Sequence, residues 1–215
     1  MSRITSVGSV TKTLTAPPVP AGTIPVLLDP GTTQDVYLVV DSGPMVTAIS
    51  PTKGTTAGGT SVVITGVNFT GATVVKFGST NATSFVVNSA TQITAVSPAG
   101  TGTVDVTVTT PNGTSAIVAA DDYTYVPPPA VAVVNPISGG HSGGNTVTIT
   151  GTNFTGATVV TFGGTNATNV TVVSDTQITC KAPARGTGPS GPWDVRVTTP
   201  YGTSAIVPAD HYSYT

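Results

Sequence analysis

The chain has 215 residues, a formal net charge of −2 and only 7% charged side chains. So weak a field draws it neither to nucleic acid nor to an anionic membrane, and no apolar run nears the roughly 20 residues of a membrane-spanning helix. One cysteine, Cys180, excludes an internal disulfide. There is no Glu, and all nine acidic residues are Asp, whereas Thr, Val, Gly, Ser, Pro and Asn abound. Helical surfaces draw on Glu, Lys, Gln and Leu, while β-branched residues suit pleated strands and Gly, Pro and Asn suit turns. The composition therefore predicts an all-β protein.

The first 44 residues repeat nowhere else. Met1-Ser2-Arg3-Ile4-Thr5 lacks an apolar signal core, so conventional secretion is not expected. Ser6–Thr15 alternates like a strand, and Ala16-Pro17-Pro18-Val19-Pro20 breaks it. Ile24–Leu28 and Asp35–Val40 read as two strands joined through Asp29-Pro30-Gly31, a strong turn signal. So few strands do not make an independent domain. Residues 1–44 are expected to form an extended attachment and oligomerisation arm, ordered by another copy, by the following domain or by a partner through strand addition. Its apolar positions Ile4, Val7, Val10, Leu14, Ile24, Val26, Leu28, Tyr37 and Val39 are the candidate partner-binding residues.

From residue 45 the chain says the same thing twice. Ile64-Thr65-Gly66-Val67-Asn68-Phe69-Thr70-Gly71 returns as Ile149-Thr150-Gly151-Thr152-Asn153-Phe154-Thr155-Gly156, an offset of about 85 residues. Pro51 matches Pro136, Phe77-Gly78 matches Phe162-Gly163, and Thr91-Gln92-Ile93-Thr94 matches Thr176-Gln177-Ile178-Thr179. A period this long marks tandem domains, each able to enclose its own core, and not a short solenoid repeat. Within each copy the pattern has period two, in short β-branched runs such as 61–65, 73–77, 85–87, 92–96, 104–108 and 122–125, bounded by Gly, Pro or Asn. Six or seven strands in about 80 residues describe a small β-sandwich. Alternation puts Val104, Val106 and Val108 on one face and Asp105, Thr107 and Thr109 on the other. The predicted layout is arm 1–44, sandwich 45–126, a stiff Pro127-Pro128-Pro129 linker, and sandwich 130–215.

Candidate chemistry is sparse. His141 and His211 have no Cys or Glu partner at metal spacing, and no Gly-x-Ser-x-Gly elbow or phosphate loop occurs. Asp121-Asp122 lacks the dense oxygen run of a calcium loop and reads as a solvated turn. Cys180, at the place of Ala95 in the first copy, reads as a buried strand residue and not a reactive thiol. Asn-x-Thr triplets at Asn68, Asn81, Asn112, Asn153, Asn166 and Asn169 read as turn formers. The second copy inserts about four residues, in Arg185-Gly186-Thr187-Gly188-Pro189-Ser190-Gly191-Pro192-Trp193. Arg185, Trp193 and Tyr201 (Asn112 in the first copy) form a candidate distal contact for sugar or protein. The competing reading is that Trp193 packs at the core edge in place of Val104. No catalytic, cofactor-binding or metal residues are expected.

These motifs resemble the IPT/TIG family of immunoglobulin-like domains: Val46-Thr47-Ala48-Ile49-Ser50-Pro51, Gly58-Gly59, Ile64-Thr65-Gly66-Val67-Asn68-Phe69, Val75-Lys76-Phe77-Gly78, Val104-Asp105-Val106-Thr107-Val108 and the Pro111-Asn112-Gly113 turn, all echoed in the second copy. The resemblance covers roughly 170 residues and implies two tandem immunoglobulin-like sandwiches. It does not imply one function. DNA-binding members rely on basic loops, receptor members on disulfides, and enzyme-attached members flank a catalytic domain. Seven Lys+Arg, one Cys and the available length match none of these. The expectation is a non-enzymatic virion protein, a bacteriophage capsid decoration or head-fibre protein. Its arm would bind the major capsid protein or another virion protein as a homo-oligomer, a trimer first, with the sandwiches projecting outward. The alternative is a bacterial adhesion or carbohydrate-binding module at the cell surface, contacting a host-surface glycan. Neither nucleic acid nor membrane is an expected partner.

Overall fold

A computed structural model describes residues 23–26, 36–39 and 43–215. Residues 1–42 cluster as one unit and residues 43–215 as another. In the first, β1 (Thr23–Val26) and β2 (Val36–Val39) pair antiparallel, Ile24 opposite Leu38 and Val26 opposite Val36. This is the pairing predicted for the two runs, and it brings in Ile24, Val26, Tyr37 and Val39. Ile4, Val7, Val10, Leu14 and Leu28, with the Ser6–Thr15 run, lie outside the described residues.

The first repeat forms β3 (Met45–Ser50), β4 (Lys53–Thr55), β5 (Ser61–Val67), β6 (Val74–Phe77), β7 (Thr80–Asn81), β8 (Ser84–Ser89), β9 (Gln92–Val96), β10 (Gly102–Thr110), β11 (Gly113–Thr114) and β12 (Asp122–Val126). They make two sheets. One has the order β3-β5-β9-β8, the other β4-β12-β10-β6-β7, with β11 also on β10. The second repeat gives β13 (Ala130–Asn135), β14 (Ser138–Gly139), β15 (Thr146–Thr152), β16 (Val159–Phe162), β17 (Thr165–Asn166), β18 (Thr168–Ser174), β19 (Gln177–Lys181), β20 (Trp193–Thr199), β21 (Gly202–Thr203) and β22 (His211–Tyr214). Their order is again β13-β15-β19-β18 and β14-β22-β20-β16-β17, with β21 on β20. The fold is all-β, two tandem immunoglobulin-like sandwiches. The only helical turns in the described residues are single 3-10 turns at Ala119–Asp121 and Pro208–Asp210.

Period-two alternation becomes burial strand by strand. Along β5, Val62, Ile64 and Gly66 point inward while their neighbours face outward. Along β10, Val106 and Val108 are fully buried and Asp105, Thr107 and Thr109 are half-buried on the other face. Each sandwich has its own apolar core. Val62, Ile64, Phe69, Val75, Phe77, Ile93, Val106 and Tyr123 are among the residues filling the first, and their repeats Val147, Ile149, Phe154, Val160, Phe162, Ile178, Val195 and Tyr212 fill the second. A T-shaped aromatic run, Phe77–Tyr123–Tyr125, recurs as Phe162–Tyr212–Tyr214 at ring separations of 5.0–5.1 Å, a geometry that aligns ring edges with ring faces.

The duplicated Ile-Thr-Gly-x-Asn-Phe string is one local device. Gly66 and Gly151 lie where β3 and β13 cross closest. A Cβ there would strike the Met45 or Ala130 carbonyl oxygen and the ring of Phe69 or Phe154. Asn68 and Asn153 then turn the chain in the left-handed region, φ +61° and +59°, which Asn tolerates better than most side chains. The Phe69 and Phe154 rings fold back beneath the strand and are fully buried. At the far end of the ladder, Ser115 Oγ accepts from the Val108 amide, as Ser204 Oγ does from Val197, both at 3.1 Å.

Cys180 sits in β19 and is 2% exposed. Burial pushes its thiol up to about 11, so the nucleophilic thiolate is scarce at neutral pH. The native chain is expected to resist iodoacetamide at mildly alkaline pH and to alkylate fully in denaturant. Rapid labelling of the folded chain, followed by mass spectrometry, would contradict this burial.

Candidate functional site

The 182–192 loop and the start of β20 stand at the end of the second sandwich away from the linker. Arg185 sits over the Trp193 ring, its Cζ 3.8 Å from the centroid, a cation–π contact. The same guanidinium donates to the carbonyl oxygens of Phe162 at 3.0 Å and Gly163 at 3.3 Å. Trp193 Nε1 donates to Pro189 O at 3.2 Å, and Tyr214 N donates to Ser190 O. Trp193 pairs opposite Tyr212, as Val104 pairs opposite Tyr123, and it packs half-buried against the second core. The inserted loop is thus pinned by the tryptophan, and one face of the indole is already taken by Arg185. A sugar would stack there only after displacing the guanidinium.

Tyr201 belongs elsewhere. It follows β20 at the opposite end, a seven-residue strand from Trp193, or about 20 Å at 3.3 Å per residue. A Cβ on its neighbour Gly202 would lie 3.2 Å from Pro128, so this turn adjoins the linker. Of the three candidate contact residues, the structure joins Arg185 to Trp193 and separates Tyr201 from both. The turn that anchors the linker end is reinforced in the second copy alone. Asp175, at the place of Ala90, accepts from Thr155 Oγ1 at 2.6 Å, the Thr155 amide and the Asn153 amide. These bonds, the Thr155 side chain foremost, hold its carboxyl below the usual range.

The solvated turn expected at Asp121-Asp122 is exposed only at Asp122, whereas Asp121 is fully buried. Asp105 on β10 pairs directly opposite Asp122 on β12, and Asp121 ends the 3-10 turn just before them. One oxygen from each of the three lies within 4.8 Å of the others. Asp121 Oδ2 accepts from the Val118 amide at 3.1 Å, as Asp210 Oδ2 does from the Val207 amide at 2.9 Å in the second copy. Burial first, then the neighbouring Asp105 and Asp122 charges, raise the pKa of Asp121, against the lowering pull of the Val118 and Val106 amides. The second copy rebuilds the place with Asp194, Asp210 and His211. There His211 Nε2 lies 3.4 Å from Asp194 Oδ1. The Asp121-Asp122 dipeptide gave no sign of this, because the third carboxylate comes from a strand 16 residues earlier in the chain.

The duplicated sandwich, its Gly-Gly and Asn-Phe turns and its Pro-x-Gly hairpin are matched by the IPT/TIG domain model over residues 44–125 and again over 129–214. The chain belongs to the IPT/TIG family. No curated protein sequence matches it. Among solved structures, the full extracellular region of plexin A4 (domains 1 to 10) is similar at a TM-score of 0.50 and 22% identity, over 87% of this chain and 17% of that one. SGBP-B from a complex xyloglucan utilization locus in Bacteroides uniformis is similar at a TM-score of 0.35 and 24% identity, over 79% and 49%. InvD of Yersinia pseudotuberculosis is similar at 0.31 and 16%, over 80% and 57%. The chain spans less than a fifth of the plexin structure. The plexin likeness is one of fold and nothing finer.

Proposed function

We propose that this chain is a non-catalytic display protein of an outer surface. The unrepeated residues 1–44 attach it to its support, and the paired IPT/TIG modules are the spacer that carries a contact face outward. The observation that supports this most is the pattern of duplication. The two modules agree in most core and turn residues and in the buried Ser115 and Ser204 hydrogen bonds, and differ most in the 185–193 loop. Selection for folding alone accounts for the agreement. The unrepeated parts are where a specific partner has something to recognise.

Two settings fit. In an extracellular or cell-surface setting the module ends meet a glycan or a protein. The plexin A4 structure of similar fold is named as an extracellular region. In a virion setting the arm binds a capsid or other virion protein, a reading that rests on sequence alone: the composition, the unrepeated arm and the lack of disulfides. The discriminating experiment compares the full chain with a chain starting at residue 45 for sedimentation with virions and with cells of the source. The full chain is expected to oligomerise and to co-sediment with one of the two, and the truncated chain to be monomeric and unbound. Equal binding by the truncated chain would refute the arm as the attachment element. A glycan array tests the cell-surface setting separately. Hits lost in Trp193→Ala would support it, and an array without hits would remove glycan binding.

A further inference from the structure

The freedom of a joint between two modules is set by the residues that neither module holds. β12 of the first module keeps its pairing through Val126, opposite Thr55 of β4. β13 of the second begins at Ala130. Of the prolines between, Pro129 is buried, as Pro44 is at the same place before the first module. Pro128 is held by its carbonyl oxygen, which accepts from Asn153 Nδ2 at 3.4 Å. That leaves Pro127, which is exposed. Its ring locks φ at about −65°. Val126, Pro127 and Pro128 each precede a proline, which confines all three to extended conformations.

The second module reinforces this seat in ways the first does not. Gly43, Ala90 and Asn112 of the first copy become Pro128, Asp175 and Tyr201. In both copies the left-handed Asn reaches back to the entering chain, Asn68 to Gly43 O at 3.3 Å and Asn153 to Pro128 O. Only in the second does a carboxylate brace that Asn. Asp175 accepts from the Asn153 amide, the Thr155 amide and Thr155 Oγ1, so the turn is fastened at Asn153 itself and again two residues on. The 201–202 hairpin turn also closes on the linker. Tyr201 is half-buried where Asn112 is exposed, and a Cβ on Gly202 would lie 3.2 Å from Pro128 Cβ. At the place of Pro128 the first copy has Gly43, which can take backbone conformations closed to proline.

We infer that the two modules are joined at a fixed angle, and that Asn153, positioned by Asp175, is the clamp that fixes it. Pro127 is the single residue between the last pairing of the first module and the seat of the second. The distal 185–193 loop is then carried at one orientation to the first module. A contact face held this way gives up little further freedom when it meets a partner. A stiff spacer also sets its reach, where a flexible one would average over many distances. This holds in a cell-surface and in a virion setting alike.

The test measures the distance between the modules in the full chain. Thr65 and Thr150 are exposed at equivalent places on β5 and β15. Thr65→Cys combined with Thr150→Cys therefore takes one spin label on each module, while the buried Cys180 stays unlabelled. Double electron–electron resonance is expected to give one narrow distance distribution. Asn153→Gly keeps the left-handed turn and removes the side-chain donor, and Asp175→Ala installs the residue of the first copy. Each should broaden the distribution and lose the single narrow peak. Pro127→Gly should about double its width or more, because it frees the one unheld φ. Trp193, the only tryptophan, lies in the second module, so its fluorescence follows that module alone and shows that it stays folded in each variant, while circular dichroism follows both. A broad distribution in the unaltered joint, one that stays narrow in both clamp variants, or one that Pro127→Gly leaves unchanged would each overturn the inference.

Discussion

Phe154→Ala is expected to cost the second module about 3–5 kcal/mol, the usual range for removing a large buried aromatic. Phe154 is fully buried in a core of its own. The ring also closes the Gly151 crossing, and no neighbouring side chain can collapse into its place without opening the β13–β15 contact. A module of this size is stable by only about 5–15 kcal/mol, so a large share of the margin goes. Small domains lose about 4–8 °C per kcal/mol, which puts the fall in melting temperature above about 12 °C. The position of Trp193 makes the readout specific: Phe154→Ala should lower the tryptophan-detected transition. Phe69→Ala, the same change in the first core, should lower only the circular-dichroism transition of its own module. A tryptophan transition shifted equally by Phe69→Ala would mean that the two cores melt as one unit.

Gly66→Ala is expected to leave the first module unfolded or nearly so, a loss of about 4 kcal/mol or more, in the range reserved for gross misfit. The added methyl would meet the Met45 carbonyl oxygen and the Phe69 ring, and neither can move. The carbonyl belongs to β3, held in the sheet by pairing with β5, and the ring is locked in the core. Gly59→Ala is the control. Its φ of +80° strains any L side chain, but nothing lies within 4 Å of the new methyl, so it should cost only about 1–2 kcal/mol. Proteolysis and circular dichroism would rank the two. A folded, protease-resistant Gly66→Ala chain would show that β3 and β5 approach less closely than the structure has them.

Both predictions concern residues that were conspicuous as letters in the sequence, and for a physical reason. A glycine required by a crossing strand, an Asn required by a left-handed turn and a Phe required by the core are each set by their immediate surroundings. Their order along the chain therefore survives duplication as Ile-Thr-Gly-x-Asn-Phe. The same holds for Val106 and Val108 in β10, whose burial follows from two-residue alternation alone. The pairing of β1 with β2 was legible from two apolar runs around a turn signal.

The candidate sites were legible only in part. Arg185 and Trp193 were singled out for lying in an insertion beside an aromatic residue, but their chemistry was not apparent. The guanidinium occupies the indole face that a sugar would use, a contact between residues on two sides of a loop. Tyr201 looked like their neighbour because it is close in sequence. An extended strand carries neighbours apart by about 3.3 Å per residue, so proximity in the chain became distance in space.

By itself the sequence determined the fold class, the doubling, the strand faces and the turn residues. All of these depend on interactions within a few residues or on a repeat that can be compared with itself. Tertiary structure alone decided which side chains from distant strands share a surface. The register of β10 against β12 sets Asp105 opposite Asp122 beside the buried Asp121, and that of β20 against β22 sets Asp194 beside His211. Register is chosen by the whole sheet packing against the whole core, and no local pattern of letters carries it.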